Sequence, residues 1–363
     1  MNEFWRGKRV LLTGHTGFKG AWTALWLEQL GANVTGFALA PPGDRDCVFS
    51  CAAPWTKLTS IIGDLRDPSA VARAVEASDP EIVIHMAAQA LVKRSYANPV
   101  ETFGSNVMGT VNLLAALGNR PALRTILIVT SDKVYDNNDK GRAFREDDPL
   151  AGDDPYSASK AATELVARSW RKSFLRQPDS PVLGVARAGN VIGGGDWGED
   201  RLVPDVIRAG TKGTPVALRY PAATRPWQHV LDVAAGYLAY AERLTQKPEG
   251  TPLALNFGPS PREPALQARE VAEKLQEKFG WSQGWVVQEG AALPEKTVLS
   301  LDPRLAFETL GWCPKLSAFE TLEWIARWHR AHMNKRDMRE TSLSDIAEFA
   351  ARPAPKHKRV AAE

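Results

Sequence analysis

The feature that most constrains this chain is a short apolar segment, residues 8–13, that runs into Gly14-His15-Thr16-Gly17-Phe18-Lys19-Gly20 and then into the apolar helical pattern of residues 21–30. A second strand-like segment follows at residues 33–39. Strand, glycine turn, helix and strand in that order predict a parallel βαβ unit that binds a dinucleotide. Gly14 permits the tight turn, Gly17 lets the backbone approach a pyrophosphate, and Gly20 allows close helix packing. The amino end of the helix offers its N–H groups to the phosphates. Thr16 and Phe18 complete the phosphate loop. His15 and Lys19 are unusual there, and either contact phosphate or ribose or simply face water.

The alternation continues. Residues 60–62 read as a strand ending in Gly63-Asp64-Leu65, with Asp64 placed to accept from an adenine amine. Residues 82–85 read as another, ending in Met86-Ala87-Ala88-Gln89, where small side chains let a ring system lie close. Helical patterns cover residues 68–77 and 99–117; the latter holds Asn106, which either orders a proton-relay water or braces the strand beside it. The expected class is α/β: a Rossmann-type, doubly wound parallel sheet with helices on both faces and a smaller mixed domain for substrate.

One expected feature is missing. An acid that grips the adenosine ribose stands about twenty residues beyond the first glycine in such folds. Here that position falls on Ala38 or Leu39, and the first acid beyond it is Asp44. Arg45 could meet a 2′-phosphate, but NAD is favoured over NADP, held without the usual carboxylate.

Residues 126–129 form a short β-branched run followed by Thr130-Ser131-Asp132-Lys133-Val134-Tyr135. Polar groups at a strand's carboxyl end face the ligand crevice of an open α/β sheet, so chemistry is expected at Ser131, Asp132 and Lys133. Tyr156 and Lys160 stand four apart at the start of the next helical pattern and share one helix face. A free phenol ionises near ~10, and a fixed ammonium beside it favours the phenolate. Tyr156 is therefore the expected acid–base group, with Lys160 assisting and Ser131 holding the hydroxyl or carbonyl oxygen that reacts.

After a further strand at residues 182–187, Gly, Pro, Trp and Arg become frequent and the alternation weakens. The expected division is a cofactor domain over residues 1–185, a mainly substrate-binding domain over 186–335 with some return to the first, and a frayed tail over 336–363. Expected substrate contacts are Gln89, Ser131, Asn190, the turn at Leu202 and Val203, Arg219, Arg225 and His229. Arginines suit a diphosphate because their planar donors bind two oxygens at once. A His in such an Arg/Trp-rich loop is more often a structural donor than a catalyst.

The charge balance excludes other classes. With 45 basic against 42 acidic residues and no long basic run, nothing marks a nucleic-acid or membrane-surface partner. No apolar run approaches a membrane span. Cys47, Cys51 and Cys313 are too few and irregular for a disulfide framework, and Cys47/Cys51 lack a second Cys or His pair at metal spacing, so no metal is expected and the thiols read as reduced and cytoplasmic.

Over about residues 5–330 the sequence resembles the extended short-chain dehydrogenase/reductase family, and within it the nucleotide-sugar 4,6-dehydratases. The carriers are Gly14 to Gly20, His85 to Gln89, Ser131 to Asn137, Tyr156-Ser157-Ala158-Ser159-Lys160, Asn190 to Trp197 and Arg225-Pro226-Trp227-Gln228-His229. Enzymes acting on dTDP-glucose carry Thr-Asp-Glu where this chain has Ser131-Asp132-Lys133, the variant of the branch acting on CDP-glucose. The resemblance implies a nucleoside-diphosphate sugar substrate, bound NAD, and a homodimer built through the helices at 99–117 and 156–174. It also implies oxidation at C4, elimination across C5 and C6, and hydride return to C6. In that cycle Lys133 is the expected C5 base, its deprotonation eased by burial or by the Lys160 charge, and Asp132 the acid for the leaving hydroxyl. An epimerase of the same family and a catalytically silent dinucleotide sensor are the alternatives.

Overall fold

Residues 2–43, 46–118, 120–137, 142–260, 263, 265–289 and 299–355 are described by the computed structural model of the chain. Its strands are β1 (Arg9–Thr13), β2 (Asn33–Ala38), β3 (Leu58–Ile62), β4 (Ile82–His85), β5 (Thr125–Val129), β6 (Val182–Ala188), β7 (Val191–Ile192), β8 (Val216–Leu218), β9 (Gln228–His229), β10 (Ala254–Phe257) and β11 (Trp285–Val287). Seven of them form one sheet in the order β10-β6-β5-β4-β1-β2-β3, and every pairing in it is parallel. A parallel sheet is buried on both faces, which is why β5 is apolar from Ile126 to Val129 and buried at all five positions. In β1 the period of two is plain: Val10 and Leu12 join the apolar cluster on one face, Leu11 the cluster on the other.

From β1 the chain builds outward through β2 and β3, then crosses back to β4 and continues the other way. The strand order reverses between β1 and β4, and a crevice opens at their carboxyl ends, where an open α/β sheet binds ligands. Helices Phe18–Gln29 and Val230–Gln246 cover one face, and Pro68–Ser78, Gly109–Leu117 and Pro155–Ser173 the other. A separate apolar cluster joins helices Leu202–Lys212, Ala268–Phe279 and Ala318–Met333 to β8 and forms the floor of the substrate side. No helix among the described residues is long and apolar enough to cross a membrane.

The stretch expected as a tail is otherwise. Met338–Ala351 is a helix, capped by Asp337 accepting from the Glu340 amide at 2.9 Å, with Met338, Ile346 and Phe349 buried in the main core. The apolar period is interrupted on its inner face by Ser342 and Asp345, yet both are paired, Ser342 with the Trp328 indole at 2.9 Å and Asp345 with Arg327 at 2.6 Å. Residues 356–363 lie outside the described residues.

Behind the carboxyl end of β5 lies a buried ion pair. Arg187 of β6 donates to both oxygens of Glu164, on helix Pro155–Ser173, at 2.5 to 3.1 Å, and Thr130 donates to Glu164 at 2.7 Å. Arg187 also donates to the Tyr135 hydroxyl at 2.6 Å, which donates in turn to Asn256 of β10 at 2.7 Å. These bonds lock the helix that carries Tyr156 and Lys160 to the strand end that carries Ser131. Glu164→Ala would leave the guanidinium buried and unpaired, so a loss of about 3–5 kcal/mol of unfolding free energy in denaturant titration is expected. A loss below about 1 kcal/mol, the range of a surface ion pair, would refute that role.

Candidate active site

The phosphate loop follows from its glycines. Gly14 has φ +81°, and a Cβ there would lie 2.8 Å from the Ala87 amide nitrogen; at Gly20 a Cβ would collide with the Gly14 carbonyl. Helix Phe18–Gln29 starts from Gly17 with no side-chain cap and no acid in its first turn, so its amino end is open to a pyrophosphate. The dinucleotide fits on these grounds.

The β4 end is fixed by a relay. Thr13 Oγ1 accepts from the Met86 and Ala87 amides, both at 3.1 Å, and so gives its proton to His85 Nδ1 at 2.7 Å. His85 then donates from Nε2 to Thr110 at 3.0 Å, and Thr110 to the Asn106 carbonyl at 2.7 Å. Burial holds His85 neutral, its pKa lowered to about 3. Asn106, on a π-helical turn, accepts from the Gln89 amide at 2.7 Å and donates to the Gln89 carbonyl and to Ser159. It is a brace between the β4 loop and the Tyr156 helix. The Gln89 amide group is likewise spent on Leu91 and Thr102.

Both faces of the crevice open into one cleft of about 1000 Å³. Gly14, Thr16, Gly17, Phe18, Lys19, Gly20, Asp64, Leu65 and Met86 to Gln89 line its cofactor side. Ser131, Asp132, Lys133, Tyr156, Asn190, Leu202, Val203, Arg219 and Arg225 line the rest. Ala38 ends β2 at the cleft wall, so β2 itself brings no carboxylate there. Asp44 and Arg45 lie outside the described residues. Asp64 is paired with Arg66 at 2.6 Å.

Three expectations fail. His15 neither contacts the cleft nor faces water: it is fully buried, bonded to Ser60 at 2.7 Å and packed edge-on against Phe49, because Gly36 leaves room for its ring. His229 caps helix Val230–Gln246 by accepting from the Leu231 amide at 3.2 Å and lies against Trp324, off the cleft. Leu202 and Val203 form the first turn of helix Leu202–Lys212 instead of a loop turn.

At the reacting end, Ser131 donates to Asp132 Oδ1 at 2.9 Å and is hydrogen-bonded to the Tyr156 phenol. Burial pushes that phenol up to about 12; Ser131 and the Arg201 charge pull it down. The Lys160 ammonium is anchored on the Val129 carbonyl at 3.0 Å, and burial, with Lys19 nearby, lowers its pKa to about 7. Lys19 points inward: burial and Arg201 lower it to about 8 while Asp132 opposes them, and its Nζ lies 5.9 Å from the Tyr237 ring centre. Asp132 is buried, its pKa raised by desolvation against the pull of Lys133, and its Oδ2 has no hydrogen-bond partner among the described residues.

Sequence reasoning missed Arg201, held by Asp196 at 3.0 Å, and Tyr237 beneath Lys19. The nearness of Arg201 to the Leu202-Val203 segment was the one available signal.

A doubly wound sheet with a glycine cradle at its switch point, Ser131 beyond the end of β5 and Tyr156 and Lys160 on the helix Pro155–Ser173 defines a dinucleotide-dependent enzyme acting at a carbinol. Residues 10–258 match the NAD dependent epimerase/dehydratase family, and the chain belongs to it. It is 41% identical, over 96% of its own length and 97% of the relative's, to the CDP-glucose 4,6-dehydratase of Salmonella typhimurium. The dTDP-glucose 4,6-dehydratase of Xanthomonas campestris is 30% identical over 61% of this chain and 64% of that protein. Among solved structures, an epimerase of Methanothermobacter thermautotrophicus superposes with a TM-score of 0.80 at 22% identity, covering 94% of this chain and 97% of that one. The dTDP-glucose 4,6-dehydratase of Bacillus anthracis in complex with NAD superposes with a TM-score of 0.73 at 19% identity, covering 91% and 99%.

Proposed function

We propose that the chain is an NAD-dependent hydro-lyase that converts CDP-glucose to CDP-4-keto-6-deoxyglucose and water. The observation that carries this reading is the Ser131-Asp132-Lys133 trio, set beside the Tyr156 phenol in one cleft, in a chain alike over nearly its whole length to a dehydratase of that name. NAD, held by the glycine cradle, supplies the hydride acceptor and donor when bound. Tyr156 takes the proton of the sugar 4-hydroxyl, with Ser131 holding the reacting oxygen. The 4-ketone acidifies the C5 proton, which Lys133 removes. Asp132 gives a proton to the departing C6 hydroxyl, a role that desolvation supports by keeping its carboxyl protonated above the usual range. Arg219 and Arg225 supply the donors for the diphosphate.

Incubation with CDP-glucose should yield a keto sugar lighter by one water, with no consumption of added reduced cofactor. A product of unchanged mass would instead mark an epimerase, and NAD binding without turnover of any nucleoside-diphosphate glucose would revive the sensor.

The chain is further read as a homodimer, because Val100, Phe103, Met108 and Leu165 are exposed on the adjoining helices of one face. Val100 is 86% and Leu165 57% exposed, more apolar surface than solvent-facing helices usually carry. Sedimentation as a monomer at micromolar concentration would refute it. Three free thiols among the described residues suit a reducing cytoplasm.

A further inference from the structure

Away from the reaction cleft, a second cleft lies between the segment after β2 and the C-terminal helices, lined in part by Cys51, Trp197, His329 and His332. There Asp46, Cys51 and His332 bring one carboxylate oxygen, one sulfur and one imidazole nitrogen within 4.8 Å of one another. We propose that these three side chains form a binding site for a single zinc-class divalent cation that fastens the segment after β2 to helix Ala318–Met333.

The donor set is the first argument. Sulfur, imidazole and carboxylate together suit a borderline-soft ion of flexible geometry, and do not suit magnesium or calcium, which want oxygen alone. Tetrahedral bonds of about 2.0–2.3 Å would place the donors about 3.3–3.8 Å apart, so the cluster must contract by no more than about 1.5 Å. Asp46 is already 3.1 Å from His332 Nε2.

The surroundings are the second argument. An ion pair between Asp46 and His332 needs no thiol beside it. The Trp328 ring stacks on His332 with centroids 5.7 Å apart, and Trp197 meets it edge-on at 5.0 Å, which fixes the imidazole direction. One helical turn earlier, His329 lines the same cleft, is 1% exposed, and has an Nε2 without a hydrogen-bond partner among the described residues. A water would take the fourth position. Cys51 has no second Cys or His pair near it in sequence; the fold brings His332 to it from the far end of the chain.

A cation here would act as a staple, outside the chemistry. Between its Asp46 and Cys51 ligands, Val48 packs into the main core and Phe49 packs on His15 of the phosphate loop. The site would thereby hold the wall behind the cofactor cradle to the C-terminal helices.

The test uses the full-length, tag-free protein stripped with a chelator and titrated with Co(II). One Co(II) per chain, with a thiolate-to-cobalt charge-transfer band that Zn(II) abolishes, and a higher thermal unfolding midpoint on metal addition, are the expected results. Removing an outer partner of a metal ligand typically costs about 10–100-fold in affinity, so Cys51→Ser and His332→Gln, which remove ligands outright, should each cost at least about tenfold. Far-UV dichroism checks that both variants fold. Absence of the thiolate band in the parent protein, or equal affinity in the folded double variant, would overturn the proposal.

Discussion

Tyr156→Phe is expected to lower keto-sugar formation from CDP-glucose by about 10²–10⁴-fold, the span that a positioned acid–base group contributes. The substitution deletes one oxygen and keeps the ring, so the packing of helix Pro155–Ser173 should survive, and dichroism and NAD binding should stay near the parent values. The size of the effect rests on how strongly the site has prepared this phenol. Burial, aided by the Asp132 charge, outweighs every opposing group and leaves the phenol at about 12, where almost no phenolate exists at neutral pH. Ser131 and Arg201 oppose that penalty, and Arg201 is itself held in place by Asp196. Because the reactive form is the deprotonated one, turnover should rise with pH on the acid side, and that limb should vanish in Tyr156→Phe. Ser131→Ala, which removes the phenol's hydrogen-bond partner, should shift the limb to higher pH. A Tyr156→Phe enzyme within about fivefold of the parent would take the phenol out of the acid–base role.

How much of this was legible in the chain follows from the range of the interactions. The individual strands rest on local patterns, short apolar runs and glycine turns, and a reader of residues 8–39 or 126–160 meets them intact. The same holds for Gly14, Gly20 and the Ser131-Asp132-Lys133 trio, whose placement follows from being at strand ends. His15 was misread because its burial depends on Gly36 in the next strand and on Phe49 beyond it. His229 was misread because a helix cap and a ligand contact look alike in one dimension. The helix Met338–Ala351 was hidden by Ser342 and Asp345, polar residues on its buried face whose partners, Trp328 and Arg327, lie on another helix. Arg201 and the Asp46, Cys51 and His332 cluster belong with these: each is assembled by tertiary contact, with no local period to announce it.

Lys133→Met carries the most specific consequence, since it separates the first half of the reaction from the second. Tyr156 and Ser131 are untouched, so oxidation at C4 should proceed in the variant and reduced nicotinamide should appear, bound, with CDP-glucose present. Removal of the C5 proton should then stall, and keto-deoxy product should fall by about 10²–10⁴-fold. One feature of the site makes the split clean. Asp132 is buried beside Lys133 and feels its charge, so with methionine in place its carboxyl loses a stabilising cation and its pKa should rise further. An acid that stays protonated cannot take over as the C5 base, so the neighbour offers no rescue. Asp132→Asn should also stall after oxidation, but by a different route: C5 exchange with deuterated solvent should persist, because Lys133 still removes the proton, while loss of the C6 hydroxyl slows. In Lys133→Met that exchange should disappear. Single-turnover absorbance for the nicotinamide, with mass spectrometry of the sugar for deuterium, distinguishes the two variants. Unimpaired C5 exchange in Lys133→Met would remove Lys133 from the elimination and leave the trio's third member as a binding residue only.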